Sequence, residues 1–211
     1  MNNILTKGHK ILMIKGEELP TETKVLLSEK QIKTRDADMY IRKEVTGWSG
    51  THELLVAGTK QVFGETNWNG NRLPKYENLV LERIRAGYAF MEEPKEGEGE
   101  IGGIESLSNP LIRRYTNLLE VVDPSLLNAD LIIRQNDNIL VEIPVERLFS
   151  EAKSDRPAGT LDAYEIDNPP ILKEEIPVQL QLRVPEGASI DGKVRHFFEL
   201  HLIGQKTRKV E

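Results

Sequence analysis

Cysteine is absent from the 211 residues, which excludes disulfide staples, thiolate nucleophiles and every cysteine-ligated metal site. Long apolar runs are absent too. None exceeds four residues, Ile11 to Ile14 being one, far short of the roughly 20 that a membrane-spanning helix needs. Basic charge is not in excess: 28 Lys and Arg against 34 Asp and Glu give a net charge of −6. That balance argues against a general nucleic-acid binder, because affinity for phosphates comes from basic surface and counterion release. It leaves room for a local basic arm. The N-terminal stretch MNNILTKGHKILMIKGEE lacks the apolar core and small-residue cleavage site of a secretory signal, so the expectation is a protein made in a cytoplasm and kept there or packaged from it.

Catalytic motifs are missing as well. There is no GxSxG elbow, HExxH helix or phosphate-cradling GxxxxGK[ST], and the glycine-rich EGEGEIGG follows no strand of a βαβ unit. His9, His52, His196 and His201 are scattered, and the last two, five apart on a strand, point to opposite faces and cannot share a metal. No pair among the acidic residues stands out as a glycosidase couple. The expectation is a non-enzyme with no metal, no cofactor and no small-molecule substrate.

What the chain does have is period-two patterning. Leu131 to Ile133 forms a β-branched run, Asn136-Asp137-Asn138 is a turn tolerant of left-handed backbone, and Ile139, Val141, Ile143 and Val145 then alternate with Leu140, Glu142, Pro144 and Glu146. A second hairpin is expected near the end, where Val178, Leu180, Leu182 and Val184 alternate with polar residues, Pro185-Glu186-Gly187 and Asp191-Gly192 turn the chain, and Phe198, Leu200 and Leu202 alternate in a closing strand. That strand leads into a basic tail of Lys206, Arg208 and Lys209. Expected strands are 10 to 16, 39 to 46, 52 to 63, 78 to 90, 129 to 135, 138 to 145, 176 to 184 and 195 to 204. The core is expected to include Leu131, Ile133, Val141, Ile143, Leu180, Leu182, Phe198 and Leu200. Short helices are expected within 20 to 34, over 111 to 120 where Asp123-Pro124 would stop it, and as a turn from 145 to 153. Acidic, glycine-rich 92 to 103 and irregular 154 to 170 read as surface loops.

Residues able to touch a ligand or partner are few. Trp48 and Trp68 lie in the polar loops 47–50 and 64–75, where flat rings can stack on a sugar or anchor a partner, or fold back as lids on the core. Lys7, Lys10 and Lys15 make the N-terminus locally basic, suited to solvent, nucleic acid or an anionic lipid surface.

Eight antiparallel strands with decorated loops is the arithmetic of a jelly roll. The reading is an all-β, single eight-stranded antiparallel jelly-roll β-sandwich over 36–211, preceded by 1–35 as an N-terminal arm or a short strand plus helix. In strand order and style, ENLVLERIRAGYAF, LNADLIIRQNDNILVEIPVERLF, IPVQLQLRV and HFFELHLIGQKTRK together resemble the jelly-roll capsid proteins of tailless icosahedral phages, including membrane-containing ones. The likeness spans residues 39 to 206 and involves no diagnostic motif. It implies a structural subunit of a virion shell that assembles with copies of itself, as a trimer or higher, and with other capsid proteins, its arm reaching the genome or an internal membrane. It implies no catalytic residues. Members of the membrane-containing group often hold two jelly rolls, whereas this chain supplies strands for one. The alternative is a carbohydrate-binding β-sandwich using Trp48 and Trp68.

Overall fold

The structure, a computed structural model, describes residues 16–91, 115–149 and 163–210. Among them are β1 (Ile32–Glu44), β2 (Thr51–Glu53), β3 (Leu79–Met91), β4 (Asp130–Gln135), β5 (Asn138–Pro144), β6 (Tyr164–Glu165), β7 (Ile171–Leu172), β8 (Val178–Arg183) and β9 (Arg195–Lys209), with helices α1 (Thr21–Ser28) and α2 (Pro124–Leu127). The strands form two antiparallel sheets. One runs β1-β9-β3-β6, with β7 also on β3, and the other runs β2-β8-β4-β5.

Both sheets turn an apolar face inward onto one core. The alternation of β4, β5, β8 and β9 points Leu131, Ile133, Val141, Ile143, Leu180, Leu182, Phe198 and Leu200 into that core, as the pattern predicts. The hairpin β4-β5 turns on Asn136, whose φ of 53° suits a residue that tolerates left-handed backbone. A register shift after Ile133 sets Arg134 opposite Ile139. The bulge moves Ile139 off the inward face, where simple alternation had it, and leaves it exposed.

Several expectations are corrected. Strands β8 and β9 are not a hairpin: β8 pairs β2 and β4, whereas β9 pairs β1 and β3. The chain between them crosses from one sheet to the other, with Ile190 buried on the way and its N–H donating to the Trp48 carbonyl at 2.9 Å. The run 52–63 is not one strand. Leu54 and Leu55 are both buried, which a strand with a single core face cannot achieve for neighbours, so pairing ends at Glu53 and a loop follows. The helix expected over 111–120 is not seen in its described part. Thr116 bridges Tyr88 by two backbone hydrogen bonds of 2.8 and 2.9 Å, and only Leu119–Val121 makes a 3-10 turn. Asp123-Pro124 starts a helix rather than stopping one: the Asp123 carboxylate caps the N–H groups of Ser125 and Leu126 at 2.8 and 3.3 Å, with proline in the first turn. In the irregular stretch before Pro170, Tyr164–Glu165 adds a short strand to β3.

Helix α1 forms where expected, and β1 begins at Ile32, earlier than the pattern indicated, because residues 32 to 38 pair with the basic end of β9. Lys206, Arg208 and Lys209 therefore stand on a strand, not a tail. The expected first strand, apart from Gly16, and the whole of the loop 92–103 lie outside the described residues.

Candidate functional site

Strand β1 is an edge strand, and its outer rim is covered by the loop Val62 to Trp68. The Arg42 N–H donates to the Glu65 carbonyl at 2.8 Å, and the Tyr40 N–H donates to Asn67 Oδ1 at 2.8 Å. Thr66 Oγ1 donates to the Tyr40 carbonyl at 2.9 Å, and Asn67 Nδ2 to that of Asp38 at 2.7 Å. These bonds satisfy groups that an edge would otherwise leave open to another chain. The indole of Trp68, 1% exposed, sinks into the core and anchors the far end of the loop. At the near end Gly64 adopts a φ of 85°, which favours glycine. Beside it Phe63 is 94% exposed, with Val62 and Val56 also exposed.

The loop is held from below by a buried polar layer on the outer face of the β1-β9-β3 sheet. Arg42 donates from Nε to Glu199 at 2.6 Å and from Nη1 to the Gly64 carbonyl at 2.6 Å, and the Gly64 N–H donates to the Tyr40 hydroxyl at 3.2 Å. His201 Nδ1 lies 2.7 Å from Asp38, and its Nε2 lies 3.3 Å from Glu199 and 3.0 Å from Arg85 Nη2. The Tyr40 ring stacks on His201, and the Arg42 guanidinium sits over the rings of Tyr40 and Tyr115. Burial alone would lower the His201 pKa, but hydrogen bonds to Asp38 and Glu199 and the charge of Glu199 outweigh it, so it is raised despite Arg85. Burial pushes Glu199 up, yet its bonds and charge contacts with His201 and Arg42 hold it below the usual carboxylate value.

This layer is an ion-paired network. Its polar atoms are used in holding β1, β9 and the loop together, and among the described residues no group of three or more metal-ligating side chains is placed to hold an ion. A second pair, Tyr88 and His196, is hydrogen-bonded and buried at the far end of β3 and β9, with burial raising the tyrosine to about 12 and lowering the histidine.

The residues singled out in the sequence fare differently. Lys7, Lys10 and Lys15 lie outside the described residues. Trp68 turns no ring face to solvent and folds back onto the core, one of the two roles open to it in the sequence, so the two tryptophans do not form a shared stacking platform. Half-buried Trp48 stacks on His52 with ring centroids 4.5 Å apart, and the Lys43 ammonium lies 5.7 Å from its ring centre. Sequence reasoning missed Phe63 because it assigned Val62 and Phe63 to a strand end. The glycine that follows them was the available signal of a turn. No protein-family model matches this chain, and no curated protein or solved structure does.

Proposed function

We propose that this chain is a jelly-roll structural subunit of an icosahedral virus shell, in the style of tailless phages. Strand order is the observation that carries the reading. With β6 and β7 counted as one interrupted strand along β3, the described residues supply eight strands, ordered 1-9-3-6 in one sheet and 2-8-4-5 in the other. The first strand neighbours the last, the second neighbours the last but one, and the chain steps between sheets at each turn except the β4-β5 hairpin. That order supports the double Greek-key wrap of jelly rolls, an architecture shared by viral capsid proteins, lectins and cupins.

Fold alone does not select among those functions. The exposed Phe63 on a braced loop supports subunit contact, because a large aromatic ring held in water by a fixed backbone is suited to fill a pocket on a partner. The burial of Trp68 counts against the carbohydrate-binding alternative, which would have to rely on Trp48. In this reading the partners are copies of the chain and other capsid proteins, the location is the virion, and the N-terminal arm reaches a neighbour, the genome or an internal membrane. Helix α1 is fastened to the sheets, so that outward role falls to residues 1–15.

Sedimentation of the full chain over a concentration series, with electron microscopy of any fast species, tests the proposal. Trimers or larger closed assemblies are expected. A strictly monomeric chain at high concentration that binds a sugar on a glycan array would establish the carbohydrate-binding reading instead.

A further inference from the structure

Strands β1 and β9 run on past β3, whose last pair with β9 is Leu79 with Lys206. Beyond that point Ile32 to Thr34 and Thr207 to Lys209 continue as a two-stranded ribbon. Cations face each other across it: Lys33 is directly opposite Arg208, and Arg35 is directly opposite Lys206. By alternation all four stand on the face that further along carries Met39, Ile41, Phe198 and Leu200 into the core. Like charges directly opposite each other destabilise a sheet, so the arrangement calls for an anion.

One of the two pairs has its anion within the chain. Glu77 Oε2 accepts from Lys206 at 2.7 Å, and Glu77 Oε1 lies 3.7 Å from Arg35. Glu22, at the rim, is engaged by Lys75 at 2.8 Å. Lys33 and Arg208 are exposed, and no carboxylate of the described residues pairs with either. Lys209 is exposed beside them, its ammonium 5.0 Å from the Tyr76 ring centre. A groove of about 320 Å³ opens at this ribbon end, lined by Lys33, Thr34, Arg35, Arg208, Lys209 and Val210.

We propose that this groove binds the phosphodiester backbone of a single-stranded nucleic acid. The two unpaired cations, Lys33 and Arg208, stand directly opposite each other with Cβ atoms about 5 Å apart, and with Lys209 in the same groove they make one compact positive cluster against which a flexible single strand can lay successive phosphates. A recessed groove suits a chain-like polyanion, whereas a bilayer is a plane and would be met by charges on a protruding face. The net negative charge of the molecule confines binding to this end and keeps it dependent on salt. The inference does not rest on shell assembly, since a monomer has the complete groove.

Fluorescence anisotropy of a labelled oligothymidylate with the full chain, over a series of salt concentrations, tests it. Contacts from Lys33, Arg208 and Lys209 predict a log–log salt slope of about −2, at roughly −0.7 per phosphate neutralised on a single strand. The double variant Lys33→Ala/Arg208→Ala should lose about 1.4 of that slope and bind at least ~10-fold more weakly at low salt. Lys193→Ala, beyond the other end of β9, should change neither. Lys33→Glu separates binding from folding: it places a carboxylate opposite Arg208, so the melting temperature should hold or rise while binding is lost. The proposal is overturned by absence of binding to the wild-type chain at low salt, or by a slope unchanged in the double variant. It is also overturned if vesicles of equimolar phosphatidylcholine and phosphatidylserine bind and the oligonucleotide does not.

Discussion

At the scale of single residues, the protein separates side chains that hold the core from those that hold the outer polar layer. Leu182 is fully buried between the sheets while its neighbour Gln181 faces outward, so Leu182→Ala should cost about 2–5 kcal/mol and Gln181→Ala little. Chemical denaturation of both variants checks this, and equal losses would mean a register slipped by one. The polar layer predicts a pH signature. His201 has a folded pKa raised above its usual 6.5, so its contribution is fully present below that pH and fades as pH rises through the folded value. Glu199, with a lowered pKa, contributes above its usual 4.5, and that contribution is lost as pH falls through the folded value. Stability from this layer should therefore be greatest between about pH 4.5 and 6.5. Denaturation midpoints across pH should show a decline on the alkaline side that His201→Gln removes. Removing one partner of the pair by Glu199→Ala should cost about 1–3 kcal/mol, because half-buried Arg42 and buried His201 would lose the carboxylate they share.

Whole elements depend on a few close approaches that a sequence does not display. At Gly204 a Cβ would lie 1.8 Å from the Val80 carbonyl oxygen, because the bulge after Leu81 leans the β3 backbone onto β9. Backbone cannot swing aside as a side chain can, so Gly204→Ala should destabilise by more than about 3 kcal/mol or prevent folding, beyond the usual 1–3 for overpacking; thermal denaturation would show it. Helix α1 is pinned in a different way. The buried Glu174 carboxylate accepts from Thr23 Oγ1, the Tyr76 N–H and Asn78 Nδ2, while Leu19 packs on Val80 and Ile171. Glu174→Ala leaves those donors unpaired and should cost about 3 kcal/mol, with faster proteolysis near α1 as the local readout. Strands β3, β4, β5 and β8 and the core were legible because each shows its period locally. The β8-β9 crossing and the start of β1 were not, since both depend on pairing between residues more than a hundred positions apart. The Asp123-Pro124 helix start was legible in principle: an acidic cap followed by proline was read as a stop when it is a start signal.

At the scale of the whole molecule, the polar layer, the edge strand and the exposed aromatic act as one device. Glu199 fixes Arg42, Arg42 and Tyr40 fix Gly64, and Gly64 sets the position of Phe63. In the sequence the parts look unrelated: a glutamate on the closing strand, an arginine on the second expected strand, and a phenylalanine at the end of the third. Only the fold brings them together, across a span that no local pattern reaches. A lone exposed phenylalanine contributes little to the chain that carries it, so Phe63→Ser should leave the melting temperature of the monomer unchanged. Symmetry would repeat its contact in every copy of a closed assembly, so a small loss per interface multiplies. Phe63→Ser should therefore shift assembly to higher protein concentration in sedimentation experiments. Arg42→Ala should do the same more weakly, by freeing the loop, and should also lower stability. If Phe63→Ser assembles as the wild-type chain does, the contact of the proposed shell is not at Phe63, and the exposed Ile139 on edge strand β5 becomes the next residue to substitute.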